Sequence, residues 1–447
     1  MPDDARRLVT PSRGDGVAAA ATEVIGGPVG RFARAGARSW LYVGGVLSSL
    51  ASVLIALGVL QKNHCERMGW GAPAAFWRGC YSDLPVGVGG QSAATPWSTG
   101  GPGHTQPVIT AFVTWGLQHL VPGGGTVLHQ QQIYYAICAV VITALVAATT
   151  IATASMLRDS PWQAAHVALS PVLITASLLS LDILGVALAT IGMALWMRRM
   201  PLAAGALLGA AVMARTYPLI IIAAIVLLAT RERRTSEAVR LLAAAAATAV
   251  FFLLAAVAVG GDPLAPYRAW GSATASYGSP WLVSAILHVT IPPTALTVVA
   301  LLGWLAALLA GMLRVSMRAP ARLGPLALMM LVIVLVTGRS FPLQASLWVL
   351  PLIAICALRW REHLVWAMVE VVYFVMVWMY AGVSSNPGKA LAPAGYAVFC
   401  VIRLVAYAGL AAAAWESAED VDDRMRPVVR RPAARDGADF RASSTPA

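Results

Sequence analysis

Long apolar segments alternate with short polar ones along most of this chain. Runs of about 15–25 mostly apolar residues recur between Leu41 and Trp415, and each is long enough to cross much of a hydrocarbon core of about 30 Å. The runs are continuous, whereas the strands of a membrane β-barrel alternate apolar with polar residues. The pattern therefore predicts an all-α polytopic membrane protein with about 11–13 transmembrane helices, of which the first covers residues 41–60.

The composition supports this class of protein and excludes others. Of the 447 residues, 58% are hydrophobic and only 12% are charged, and the mean hydropathy is +0.71. Soluble domains usually carry about 25% charged residues. A soluble enzyme, a disordered scaffold and a small disulfide-framed module are therefore excluded.

The net charge of +12 does not indicate a nucleic-acid partner. Apart from Lys62 and Lys389, the basic residues are all arginines, and they fall in short clusters between the apolar runs. Such clusters are typical of cytoplasmic loops. We therefore expect a multi-pass protein of the cell membrane with both termini in the cytoplasm. The clusters assigned to the cytoplasmic side are Arg158, Arg198–Arg199, Arg231–Arg240, Arg314–Arg322 and Arg359–Arg361.

The same reasoning divides the chain into three parts. Residues 1–40 form a basic and partly disordered cytosolic tail, and residues 416–447 form a charged, disordered one. The transmembrane domain occupies residues 41–415 between them.

Two large loops of this domain are assigned to the extracytoplasmic side. They cover residues 61–132 and 261–293 and carry few arginines. Within the first loop, residues 107–120 form an apolar stretch. If this stretch crossed the membrane, every later loop would lie on the side opposite to the one that its charge indicates. We predict a re-entrant or interfacial helix there.

The five cysteines differ in their surroundings. Cys65 and Cys80 both lie in the first outer loop, on the oxidising side of the membrane, where they either form a disulfide or remain two free thiols. The other three lie inside apolar runs, where small buried thiols are common packing residues. Because no spacing of cysteine and histidine suits a metal, no structural metal site is expected.

Ionisable residues beside apolar spans cost free energy to bury, and they are therefore functional candidates. Asp83 precedes Leu84-Pro85, and the proline disfavours helix at Leu84, so Asp83 should lie at an ordered bend. Asp182 lies between two apolar runs at their outer ends. Each aspartate has an alternative structural role, as an Asx-turn or cap for Asp83 and as the N-cap of a helix over residues 183–196 for Asp182.

Two further charged residues are unexpected where they lie. Arg215 falls on the outer side, against the charge bias, so it needs an anion such as a lipid phosphate, or else it reaches the lipid headgroups. Glu370 lies deep in an apolar run, and we interpret it as one partner of a structural pair with Arg403 or with a tyrosine.

The second outer loop contains Arg268, His288 and several aromatic residues, which could line a sugar site or anchor the chain at the interface.

Together these residues indicate transfer chemistry on the outer face. A carboxylate can remove a proton from a hydroxyl, and an arginine can stabilise a departing phosphate. The glycine run Gly123–Gly125 lacks the strand, the helix and the lysine of a nucleotide-binding loop, so a nucleotide site is not predicted.

Several strings resemble family 87 glycosyltransferases, which are membrane mannosyltransferases of the GT-C fold that use polyprenyl-phosphate mannose. The first-loop string Cys80–Pro85 resembles that family's first-loop motif, and Ser340–Gln344 with Leu347–Pro351 resembles its late Ser-Pro-Gln and Leu-Trp-x-x-Pro segment. The family's Glu-Tyr-Pro element corresponds to Thr105-Gln106-Pro107 here. The other similar strings are Ser170-Pro171 with Ser180–Asp182, Gly205–Gly209 with Arg215–Pro218, and Val24–Arg31, which resembles the start of actinobacterial members.

The resemblance implies a role for each candidate residue. Asp83 would be the general base of an inverting transfer, and Arg215 would hold the phosphate. Asp182 and Tyr217 would line the site, with His104 as the nearest titratable group where the family has Glu-Tyr-Pro.

The implied partners are a polyprenyl-phosphate sugar, with mannose or else arabinose, and a lipid or glycan acceptor. No particular cofactor is implied, and a divalent cation shared by Asp83 and Asp182 is left open. The alternative functions are a transporter or lipid flippase and a catalytically inactive paralogue.

Overall fold

The computed structural model describes Val17 and residues 39–86, 88, 93–317 and 321–425, with side chains as far as residue 415. Most of residues 1–40 and residues 426–447 lie outside this part, as do the string Val24–Arg31 and Arg318. Residues 416–425, which were expected to belong to a disordered tail, instead continue the last helix. The described residues form helices and no strands. In chain order the helices are α1 Trp40–Gln61, α2 Asn63–Met68, α3 Ala74–Trp77, α4 Asp83–Val86, α5 Val108–Gln118, α6 Val127–Met156, α7 Ala165–Ala168, α8 Val172–Ala176, α9 Asp182–Met197, α10 Pro201–Ala214, α11 Pro218–Arg231, α12 Thr235–Ala258, α13 Ala265–Ser272, α14 Pro280–Ile286, α15 Pro293–Ser316, α16 Leu323–Thr337, α17 Ala345–Cys356, α18 Trp360–Ala381 and α19 Pro393–Met425, with short 3₁₀ turns at Pro102–His104, Pro161–Ala164 and Gly382–Ser384.

The chain is a polytopic membrane protein, as the apolar runs predict. Within the described residues, six helices (α1, α6, α12, α15, α18 and α19) are long and apolar enough to cross a membrane. Large apolar side chains of α12 and α15 are exposed, among them Phe251, Leu254 and Leu301. Exposed apolar faces of this size are suited to lipid.

Shorter apolar helices fill the interior of the bundle. Most residues of α16 and α17 are buried, so other helices surround them. Helix α10 packs closely against α12 at Gly205 and Gly209. The approach requires glycine, because a Cβ at either position would collide with the backbone carbonyl of Leu241 or Ala245 in α12. Small residues four apart allow such close approach of helices in membranes.

The two ends of the bundle differ in chemistry. At one end, which we call the arginine end, the Arg234 guanidinium lies 4.6 Å from the Trp196 ring and Arg231 donates to the Val315 carbonyl over 2.9 Å. Arg198 and Arg199 lie there too, against Trp40 and Glu237 respectively. The opposite end, which we call the disulfide end, holds the two large loops.

The predicted helix at residues 107–120 appears as α5. Its 11 residues rise about 16 Å, roughly half of the hydrocarbon thickness. It starts after Pro107 at the disulfide end, where Thr110 donates a hydrogen bond to the Ala214 carbonyl over 2.9 Å.

Glu370 forms a buried ion pair with Arg403. The Arg403 Nε lies 2.6 Å from one carboxylate oxygen, and its Nη2 lies 3.1 Å from the other. Arg403 also donates to the carbonyls of Phe341 and Pro342. The pair therefore joins α18 and α19 to the segment that leads into α17.

A disulfide joins Cys65 to Cys80, 15 residues apart in the first loop. The remaining cysteines, Cys138, Cys356 and Cys400, are free and buried.

Replacing both Cys65 and Cys80 with serine should lower the free energy of unfolding by about 3 kcal/mol. Without the disulfide the unfolded chain is no longer restricted by a closed loop of this length, so its conformational entropy rises. Thermal unfolding of the detergent-solubilised protein measures the effect. Reductant should destabilise the wild type and leave the double serine variant unchanged. Equal stability of the two proteins under oxidising conditions would contradict the prediction.

Candidate functional site

A cavity that opens to solvent lies at the disulfide end of the bundle. Asp83 lines it from the first loop, Ser180 lines it from the turn before α9, and Gln106 lines it from the segment before α5. Three parts of the chain that are distant in sequence therefore meet there.

Backbone hydrogen bonds fix the position of Asp83. Its N–H donates to the Leu179 carbonyl over 2.9 Å, and the neighbouring Ser82 hydroxyl donates to the Leu178 carbonyl over 2.7 Å. The Ser82 oxygen also accepts from the Leu84 N–H, so the serine rather than the aspartate caps α4. The Asp83 side chain is therefore not used as a cap and faces the cavity.

The Asp83 carboxyl is exposed to the cavity, yet protein surrounds most of it. This burial raises its pKa above the ordinary value. A hydrogen bond from the Tyr81 hydroxyl, 2.8 Å long, acts in the opposite direction. The charge of Asp182 also raises the pKa, whereas Arg215 and Lys62 lower it. A carboxylate with a raised pKa is a better base near neutral pH than an ordinary aspartate.

Lys62 lies behind Asp83 and was not predicted. Its side chain is fully buried, its ammonium group donates to the Tyr81 carbonyl over 3.0 Å, and it lies 5.7 Å from the centre of the Phe374 ring. Burial lowers the pKa of Lys62 to about 7, partly opposed by the charge of Asp83. Lys62, Tyr81 and Asp83 thus form one polar chain.

Asp182 and Arg215 form a second, deeper unit. The Arg215 Nη2 lies 2.5 Å from Asp182 Oδ1, and the two side chains are only 15% and 6% exposed. The same oxygen accepts from the Ser180 hydroxyl over 2.7 Å, and Oδ2 accepts from the Trp348 indole over 2.9 Å.

The interpretation of Asp182 as an N-cap is therefore wrong. Asp182 is the first residue of α9, and Leu181 occupies the cap position without a side-chain hydrogen bond. The Asp182 oxygens bind side-chain donors instead of helix N–H groups, because Arg215 and Trp348 approach from other elements.

Arg215 lies in extended backbone between α10 and α11. Besides Asp182 it donates to the Gln106 side chain over 3.2 Å. Tyr217, two residues on, stacks on Trp348 with ring centres 4.8 Å apart. The structure thus brings together Asp182, Arg215 and Tyr217, with Asp83 near enough for its charge to act on Arg215. Of these four residues Asp83 alone lines the cavity, and the other three lie behind its wall.

His104 differs from the other candidates. It is exposed and does not line the cavity. Gln106, two residues later, is the side chain that lines the cavity and contacts Arg215. Its place in Thr105-Gln106-Pro107 was the only signal in the sequence that could have indicated it.

No group of three or more histidine, cysteine, aspartate or glutamate side chains that could hold a metal ion occurs in the described part of the chain. Both oxygens of Asp182 accept hydrogen bonds from protein donors. The arrangement of Asp83 and Asp182 therefore gives no support to a shared cation.

The second loop reaches the site through α13. The buried Arg339 donates to the carbonyls of Trp270, Gly271 and Ala273, which fixes the end of this helix. Tyr267 of α13 lies near Arg215; burial raises the pKa of the phenol, and the arginine charge partly offsets this. Arg268 pairs with Asp262 at the surface and His288 is exposed, and neither lines the cavity.

No protein-family model, no curated protein and no solved structure matches this chain. The chemistry of the cavity is therefore inferred from its own residues.

Proposed function

We propose that this chain is a membrane glycosyltransferase. It transfers a sugar, with mannose as the first candidate and arabinose as the other, from a polyprenyl-phosphate donor to a lipid or glycan acceptor. One observation carries the proposal: an accessible carboxylate with a raised pKa, Asp83, lies beside a buried Asp182–Arg215 pair at one end of a membrane bundle. The resemblance of the strings around these residues to family 87 glycosyltransferases adds support.

In the proposed reaction Asp83 removes the proton of the acceptor hydroxyl. The acceptor oxygen then bonds to the anomeric carbon, and the bond between that carbon and the phosphate oxygen breaks. The electron pair leaves with the polyprenyl phosphate, whose negative charge Arg215 stabilises. A single base on one side of the anomeric carbon gives inversion, so a β-linked donor yields an α-linked product.

Arg215 is suited to this role because it keeps donors in a fixed geometry. Asp182 and Gln106 orient the guanidinium, and a planar fork matches the oxygens of a phosphate. Such preorganised donors stabilise developing charge without reorganising during the reaction.

The site faces the extracytoplasmic side in this proposal. Arginines concentrate at the opposite end of the bundle, which the positive-inside bias assigns to the cytoplasm. The six long helices, the five shorter helices α9, α10, α11, α16 and α17, and the interrupted segment 161–176 give twelve crossings of a GT-C-like bundle. An even number puts both termini on the same side of the membrane, and the positive-inside bias makes this side the cytoplasm.

A transporter or flippase is less well supported. Transporters hold their substrate sites near the bilayer midplane, between discontinuous helices. Here the polar side chains and the cavity lie at one end of the bundle. An inactive paralogue would not need an accessible carboxylate in the cavity.

The proposal is tested by supplying membranes that contain the protein with radiolabelled polyprenyl-phosphate mannose or with the corresponding nucleotide sugar. Labelled product should form from the lipid-linked donor without added nucleotide sugar. A parallel assay with arabinose on the same lipid carrier shows which of the two sugars the protein transfers. Product formed only from the nucleotide sugar, after formation of the lipid donor is blocked, would contradict the proposal.

The pH dependence of transfer should respond to Tyr81. The base must be ionised, so activity is present above the pKa of Asp83 and is lost as the pH falls through it. Tyr81→Phe removes a hydrogen bond that lowers this pKa. The acid limb of kcat/KM should therefore move to higher pH.

Tyr42→Phe, at the arginine end on α1, is the matched control and should leave the profile unchanged. An acid limb of Tyr81→Phe that coincides with the wild-type limb would show that Asp83 does not control it.

A further inference from the structure

The cavity beside Asp83 has a lining that is polar but mostly uncharged. Thr110, Thr114 and Gln118 follow one another at intervals of four residues, so they lie on one face of α5, and Gln106 continues the same row before the helix begins. Side chains four residues apart on a helix are neighbours. One face of this apolar helix therefore presents hydroxyl and amide groups to the cavity.

Tyr134 of α6 also lines the cavity. Its side chain is fully buried, and its hydroxyl lies beside Thr114 and Cys138 without a hydrogen bond of normal geometry in the described part of the structure. Buried polar groups are normally hydrogen-bonded, so each exception needs an explanation. A ligand hydroxyl in the cavity would provide the missing partner.

The charges around the cavity restrict the ligand further. Among the described residues, Asp83 is the one charged side chain that lines the cavity. Arg215 does not line it and is engaged by Asp182 and Gln106. An anionic ligand would meet the negative Asp83 directly, whereas the cations that act on Asp83, Arg215 and Lys62, lie outside the lining. A lipid tail would leave the buried Tyr134 hydroxyl without a hydrogen bond.

We infer that this cavity is the acceptor subsite and that it takes a neutral saccharide, bound through hydroxyl groups by Thr114, Gln118 and Tyr134. The inference rests on the proposed function in assigning the saccharide to the acceptor. A saccharide in this position presents a hydroxyl to Asp83, while its other hydroxyls face the row on α5.

Binding is tested apart from activity by thiol labelling. Thr114→Cys places a thiol in the cavity, whereas the native free cysteines are buried. The variant is made in the Asp83→Asn background, so that no transfer occurs, and its reaction with a water-soluble maleimide is timed. The probes are methyl α-mannobioside, as the neutral saccharide, and a disaccharide of similar size that contains a glucuronate.

The neutral probe should slow labelling of Thr114→Cys and leave labelling of Leu120→Cys unchanged, since Leu120 is exposed and lies outside the cavity. Protection by the glucuronate probe alone, or by neither probe, would overturn the inference. Protection of both cysteines to the same degree would also overturn it, because the effect would not be specific to the cavity.

The kinetic test uses the conservative variant Tyr134→Phe, which removes one oxygen atom from the cavity. Loss of one neutral hydrogen bond should raise the acceptor KM about three- to tenfold, with the donor KM unchanged. Thr114→Val should act in the same direction.

An unchanged acceptor KM in both variants would overturn the inference even if the wild type transfers sugar. Conversely, protection of Thr114→Cys by the neutral probe without any transfer by the wild type would retain a saccharide site and reject the glycosyltransferase proposal.

Discussion

Asp83→Asn should reduce sugar transfer by about 10²- to 10⁴-fold, the contribution expected of a positioned general base. Asparagine has nearly the same shape, and its carbonyl can still accept the hydrogen bond from Tyr81. The backbone contacts of this segment with Leu178 and Leu179 do not involve the carboxylate. The variant should therefore fold and reach the membrane normally.

The comparison uses initial rates at matched expression, with Asp159→Asn as the control. Asp159 is an exposed carboxylate in the turn between α6 and the following 3₁₀ turn, and it does not line the cavity. Its replacement should leave the rate near the wild-type value. Equal rates for Asp83→Asn and the wild type would mean that Asp83 is not the base.

Arg215→Met should lower both the free energy of unfolding and transfer. The substitution leaves the Asp182 carboxylate buried without its cation, and breaking a buried ion pair costs about 3–5 kcal/mol. Thermal unfolding in detergent measures the first effect, and the transfer rate of the protein that remains folded measures the second.

Two companion variants separate stability from chemistry. Glu370→Gln breaks the other buried pair, with Arg403, and should destabilise the protein comparably while folded molecules keep their transfer rate. The double variant Asp182→Leu with Arg215→Met removes both charges and should regain stability but not transfer, because the phosphate has lost its donor. Transfer restored in the double variant would contradict the role of Arg215.

The class of protein could be predicted because it depends on local properties of the chain. The apolar runs predicted α1 and α9 to within a residue or two of their ends. Glu370 could be matched with Arg403 because a carboxylate deep in an apolar run requires a donor.

The site could be predicted only in part. Asp83, Asp182 and Arg215 were identified because each charge lies at an unexpected place in an apolar chain. Their mutual contacts could not be derived, because these depend on the packing of α4, α9 and α11. The pairing of Asp182 with Arg215, rather than with helix N–H groups, is such a contact.

The residues that the sequence did not reveal are those with common structural roles. Trp348, Tyr81 and Gln106 resemble ordinary packing or loop residues until their partners are known. Lys62 directly follows the first apolar helix, where a lysine usually reaches the headgroups. Its burial becomes visible only when the disulfide loop and Phe374 enclose it.

The most direct measurement is sugar transfer by the purified full chain in liposomes that contain polyprenyl-phosphate mannose and lipid acceptors extracted from native membranes. We expect labelled product with an α-linkage and an equal amount of polyprenyl phosphate from the wild type, and neither product from Asp83→Asn. Transfer at equal rates by both proteins, or a product that retains the β configuration, would contradict a single-base reaction at Asp83.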